Sequence, residues 1–88
     1  MAYKLEISKA AQTDLAKLDK PVLEAVRKRL KRLADTAHEI VHLPLKGEFA
    51  GLYKMRVHGK YRLIYELKRD EQLIVVVRVG KRDEIYRE

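Results

Sequence analysis

Between Leu52 and Tyr86 the cations Lys54, Arg56, Lys60, Arg62, Arg78, Lys81 and Arg82 are set among apolar residues, and Tyr86 closes the run. Side chains of these types do one kind of chemistry well. Guanidinium donates in a planar fork that matches two oxygens of a phosphate, and ammonium adds a compact point charge. A phenol and a lysine amine can also carry a proton once neighbouring cations shift their titration. The set points to a basic, metal-free site for a polyanion, RNA foremost.

Such a site needs a rigid platform, and the same stretch supplies it. Tyr53, Met55 and Val57 alternate with Lys54 and Arg56, and Tyr61, Leu63, Tyr65 and Leu67 alternate with Arg62, Ile64 and Glu66. Both segments read as half-buried strands joined by a hairpin with Gly59 in its turn. Pairing Val57 with Tyr61 and Met55 with Leu63 gives one consistent apolar face, whereas a one-residue slip mixes apolar and charged side chains. That register needs a three-residue loop, and it puts Arg56 directly opposite Arg62 with Lys54 two residues away on the same side. Like charges facing each other weaken a sheet. The arrangement implies an anion between them, against the plainer possibility that both extend into water. Leu73–Val79 is a near-continuous apolar run, as in a covered interior strand. Gly80 is expected to end or bulge it, and Lys81, Arg82 and Tyr86 form a tail able to fold back over the basic face.

The first half covers the other face. Tyr3, Leu5 and Ile7 alternate with Lys4 and Glu6 as a short half-buried strand, and Ser8 is placed to N-cap a short helix carrying Ala11, Leu15 and Leu18. Asp19 begins a second helix, with Pro21 tolerated in its first turn. Val22, Val26, Leu30, Leu33 and Ala37 form its apolar stripe. Arg27, Lys28, Lys31 and Arg32 lie opposite, as a solvated face or a contact for RNA or a partner. The segment from Asp35 to Gly51, punctuated by Pro44 and Gly47, reads as a helix end plus a loop. The expected fold is α+β in the order β-α-α-β-β-β. Two N-terminal helices pack on one face of a mainly antiparallel four-stranded sheet, in one domain spanning residues 1–88.

Composition narrows the function classes. The chain of 88 residues has 20 Lys+Arg against 13 Asp+Glu, a net charge of +7, which favours an acidic partner such as nucleic acid. It has no cysteine, so disulfides, thiolate catalysis and cysteine zinc sites are excluded. No apolar run reaches the ~18 residues of a membrane span, so a cytoplasmic location without membrane contact is expected. His38-Glu39-Ile40-Val41-His42 matches the zinc-protease pattern HExxH. It stands where helical periodicity fades before Pro44, and no third ligand is placed for it, so no metal and no cofactor are expected. His58 could join proton chemistry, but its place at a hairpin tip favours an exposed turn residue.

The stretch LPLKGEFAGLYKMRVHGKYRLIYEL, followed by IVVVRVGKRDEIYRE, resembles the RelE/ParE superfamily of bacterial and archaeal toxins. The likeness spans nearly the whole chain. It is most specific in G-x-Y-R-x-I-Y at Gly59–Tyr65 and V-G-K-R-x-x-x-Y at Val79–Tyr86. RelE-like members cut mRNA in the ribosomal A site without a metal, whereas ParE-like members poison DNA gyrase and generally lack the catalytic set. The resemblance to the RelE branch implies five catalytic residues. Lys54 matches a family lysine, and Arg56 stands where a second lysine is common. Arg62 matches the arginine at the scissile phosphate, Arg82 the general acid, and Tyr86 the stacking tyrosine assigned as base. Lys46, Lys60, Arg78 and Lys81 are the expected further RNA contacts. The implied partners are a cognate antitoxin, the ribosome and mRNA, with operator DNA reached only through the antitoxin.

RNA cleavage by the 2′-hydroxyl requires that hydroxyl to lose its proton, the phosphorane charge to be stabilised and the 5′-oxygen to gain a proton. Fixed cations can perform the middle task. Free tyrosine titrates near ~10 and arginine above ~12. Neighbouring cations favour phenolate and weaken a lysine's hold on its proton, so Tyr86 or Lys54 could be the base. A gyrase inhibitor and a non-catalytic nucleic-acid-binding module remain the rival functions.

Overall fold

The apolar stripe from Val22 to Ala37 is the inner face of a long helix, and every member of it is buried. The structure, a computed structural model, describes residues 2–85, apart from the side chains of Arg82 and Glu84. Its elements are β1 (Lys4–Ile7), α1 (Lys9–Ala16), α2 (Lys20–Thr36), β2 (Leu43–Pro44), β3 (Tyr53–His58), β4 (Tyr61–Lys68), β5 (Leu73–Lys81) and α3 (Arg82–Ile85). A single 3-10 turn at Gly47–Phe49 lies between β2 and β3. The sheet order is β1-β5-β4-β3-β2. β1 runs parallel to β5, and the other pairs are antiparallel. Residues of α1 and α2 and the inward side chains of β4 and β5 (Leu63, Tyr65, Ile74, Val76, Val79) form one core.

Ser8 caps α1 as expected and does a second job. Its Oγ accepts from the Ala11 amide at 3.1 Å and donates to the Val77 carbonyl at 2.9 Å. The second bond matters because β1 stops opposite Val76, leaving the rest of the β5 edge without a strand. α1 crosses that edge instead. Asp14 accepts the Val79 amide at 2.9 Å and is gripped by Arg78 at 2.7 and 3.2 Å.

Four expectations need correction. The sheet has five strands, not four, because Leu43–Pro44 is too short to carry a period-2 signal. Pro44 is tolerated there because it lies on an edge strand opposite Tyr53, where no ladder bond is asked of its nitrogen. The hairpin keeps the register Met55↔Leu63 and Arg56↔Arg62, but Val57 does not pair with Tyr61. His58 pairs with Tyr61 across a two-residue turn, with Gly59 at φ +54°, and a bulge between Arg56 and His58 absorbs the extra residue. Gly80 neither ends nor bulges β5, which continues to Lys81; the irregularity falls earlier, between Val76 and Arg78. Finally, Leu5 stays 37% exposed because β1 is an outer strand.

Candidate active site

Strand alternation sends Leu63 and Tyr65 to the helices, so Arg62 and Ile64 face the other way. In register, Arg56 lies opposite Arg62 and Lys54 opposite Ile64. Three cations therefore share the face away from the helices. Lys54 and Arg56 are exposed and Arg62 is half-buried. Among the described residues none of the three has a carboxylate partner. Among the described residues the Arg62 side chain makes one hydrogen bond, a long one of 3.5 Å from Nη1 to the Tyr61 carbonyl. These cations are held in place by their strands and no described residue neutralises them, a state that attracts a phosphate strongly.

On its other side Arg62 pairs with Gly80. A Cβ at Gly80 would lie 2.8 Å from Ile85 Cγ2, so the missing side chain is the seat of Ile85. Ile85 is buried at 2% exposure. The chain thus turns back at β5 beside Arg62, and the backbone of Arg82 starts that turn. The Arg82 side chain and all of Tyr86 lie outside the described residues.

The other expected RNA contacts are dispersed. Lys81 pairs with Tyr61, and Tyr61 packs on the helical side, so Lys81 stands on the opposite face from Arg62. Arg78 is committed to Asp14. Lys60 is at the hairpin tip, and Lys46 precedes the 3-10 turn between β2 and β3; both are exposed. His58 is likewise exposed at the end of β3. Asp14 and Gly80, which fix the end of β5, were not legible as site residues. Gly80 offered the one usable signal, a glycine inside an apolar strand.

The HExxH pattern resolves into structure of another kind. α2 ends at Thr36, so the two histidines share no helical face. His38 is exposed beside Glu39 at 3.5 Å. His42 is buried, and both its ring nitrogens are occupied: Nε2 faces the Ala37 carbonyl at 2.8 Å and Nδ1 the Tyr65 hydroxyl at 2.6 Å. A carbonyl only accepts, so Nε2 carries the proton and the Tyr65 hydroxyl donates to Nδ1. Tyr53 stacks on Tyr65 at 5.7 Å and completes the cluster. Among the described residues no group of His, Asp and Glu could hold a metal ion. No described helix is long and apolar enough to cross a membrane.

Burial, and then the neighbouring Tyr53, push Tyr65 up to about 12. Its folded-state value lies above the unfolded one, so its contribution is complete below pH ~10 and is lost as pH climbs from there to about 12. Tyr65→Phe strands His42 Nδ1 and is expected to cost about 1–3 kcal/mol at neutral pH. The same variant should flatten the alkaline fall in stability. Chemical unfolding across that pH range checks both, and an unchanged alkaline slope would refute the assignment.

Comparison with known proteins bears on what these cations are for. Residues 5–86 match the family model for the ParE toxin of the type II toxin–antitoxin system parDE. The chain is 34% identical to Toxin RelG of Mycobacterium tuberculosis over 99% of both proteins. It is 31% identical to the mRNA interferase toxin RelE of Escherichia coli, over 100% of this chain and 94% of that one. In structure it is similar to a chain of the toxin–antitoxin complex RelBE2 of M. tuberculosis, with a TM-score of 0.80 and 31% identity, covering 93% of this chain and 100% of the other.

Proposed function

Since the chain belongs to the RelE/ParE toxin superfamily of type II toxin–antitoxin systems, we propose that it is a RelE-like endoribonuclease that cleaves mRNA in the ribosomal A site without a metal. One observation carries the proposal: Arg56 and Arg62 face each other on adjacent strands, with Lys54 on the same side and no carboxylate among the described residues to neutralise them.

In this mechanism the Arg62 and Arg56 guanidiniums hold the non-bridging oxygens of the scissile phosphate. They gain most when the 2′-oxygen attacks phosphorus and charge accumulates there. Tyr86 or Lys54 takes the 2′-hydroxyl proton. The P–O5′ bond breaks as the 2′,3′-cyclic phosphate closes, and Arg82 supplies the proton to the departing 5′-oxygen. Arg62 rests between Arg56 and the Ile85-covered Gly80, so it enters the reaction already positioned. The ribosome supplies the substrate geometry that an isolated surface of cations lacks. A cognate antitoxin is the expected binding partner, because related toxins have been solved in complex with RelB antitoxins.

The family model bears the ParE name, which makes gyrase inhibition the second possibility. Primer extension on mRNA in purified ribosomes with an empty A site separates them. A new stop within the A-site codon, dependent on ribosomes and unchanged when the protein has been stripped with EDTA, is the expected result. Intact mRNA at high protein excess would sink the nuclease, and a supercoiling assay with gyrase would follow.

A further inference from the structure

Gly80 has no conformational reason to be glycine. It lies inside β5, and the glycines in the left-handed region are Gly47, Gly51 and Gly59. A glycine inside a strand weakens it, so its presence calls for another cause. The cause is space: a Cβ at Gly80 would lie 2.8 Å from Ile85 Cγ2. That methyl is bonded directly to the Ile85 Cβ and is stiff about χ1. It cannot swing aside as the end of a long side chain could, so a side chain at Gly80 would push the backbone of the turn away.

Gly80 lies opposite Arg62 in register, so Ile85 is seated on the face that carries the cations. Ile85 is 2% exposed, yet it stands apart from the core under the helices. The same holds for Ile64, fully buried and next after Arg62 on that face of β4. The cation face therefore has apolar seating of its own.

α3 is a single turn, Arg82–Ile85, too short to hold itself. Its position is set at its two ends. Arg82 follows directly on the last residue of β5, and Ile85 drops into the notch at Gly80. The backbone of Arg82 is thus clamped to β5 on both sides, beside Arg62. We propose that Gly80 and Ile85 are positioning residues, which seat this turn so that Arg82 meets the departing 5′-oxygen. The inference rests on the nuclease reading. Arg56 and Arg62 hold the phosphate from β3 and β4, independently of the notch. Loss of the seat therefore leaves the phosphate bound and impairs protonation of the leaving group.

The test is single-turnover cleavage on stalled ribosomes carrying either of two mRNAs. One has the ordinary scissile linkage, and the other has sulfur in place of the 5′-oxygen, which departs as a thiolate without needing a proton. Gly80→Ala and Ile85→Ala should each lower the maximal rate on the ordinary mRNA by about 10–100-fold, with the half-saturating protein concentration unchanged. On the sulfur-containing mRNA most of that loss should vanish. Ile85→Leu moves the branch one carbon outward and clears the notch, so Gly80→Ala combined with Ile85→Leu should recover to within about threefold of wild type. Equal losses on both mRNAs, or no recovery in the double variant, would overturn the assignment. Wild-type cleavage with both alanine variants unimpaired would overturn it and leave the nuclease intact. A wild-type chain that cuts neither mRNA would sink the nuclease, and the positioning role with it.

Discussion

Arg62→Ala is expected to lower A-site cleavage by about 10²–10³-fold, the usual cost of removing one preorganised donor from a developing oxyanion. The fold should survive. Among the described residues the Arg62 side chain has no ion pair, and its one hydrogen bond there is 3.5 Å long. Removing it also relieves the like-charge contact with Arg56, so stability should hold or rise slightly. Activity and stability thus move in different directions, which a purely structural arginine would not allow. Arg62→Lys should recover only part of the loss, because an ammonium keeps the charge but not the fork. Single-turnover cleavage on stalled ribosomes, read beside urea unfolding, decides it. Cleavage within threefold of wild type would remove Arg62 from the site.

Asp14→Ala is the substitution expected to cost most in stability, about 2–3 kcal/mol. It takes the acceptor from the Val79 amide and the counter-ion from Arg78 at once. Asp14 is 11% exposed, so water replaces it poorly, while Arg78 at 36% can rehydrate and moderates the loss. For a small domain that is a drop of roughly 10–20 °C in Tm. Asp14→Asn keeps an acceptor for the amide and should lose about half as much. An alanine variant within ~0.5 kcal/mol of wild type would show that the β5 edge needs no anchor. Because β5 leads directly into Arg82, the anchor also steadies the start of the tail that turns beside Arg62.

What was legible in the sequence was what local period can encode. The α2 stripe and the Arg56–Arg62 register follow from the spacing of apolar residues, since burial of Met55 and Leu63 enforces the pairing whichever turn closes the hairpin. The turn itself was misread because a bulge and a longer loop move the register equally. β2 has two residues and no period to detect. Lys81 stands next to Arg82 in sequence, yet strand parity puts it with Tyr61. Asp14 and Arg78 are 64 positions apart, and no local rule joins an acidic residue of a short helix to a particular arginine of the last strand. The expected roles of Tyr86 and of the Arg82 side chain came from family resemblance alone.

The first strand of this chain pairs with the last, Lys4↔Leu73 through Ile7↔Val76, and that last strand lies inside the sheet between β1 and β4. During synthesis the N-terminal strand, helices α1 and α2 and the β3–β4 hairpin all emerge before the strand that unites them. The core cannot close until β5 has cleared the ribosome. A nascent chain whose β5 is still inside the ribosome lacks the platform that carries Arg62, so the topology holds the toxin back until that strand is out.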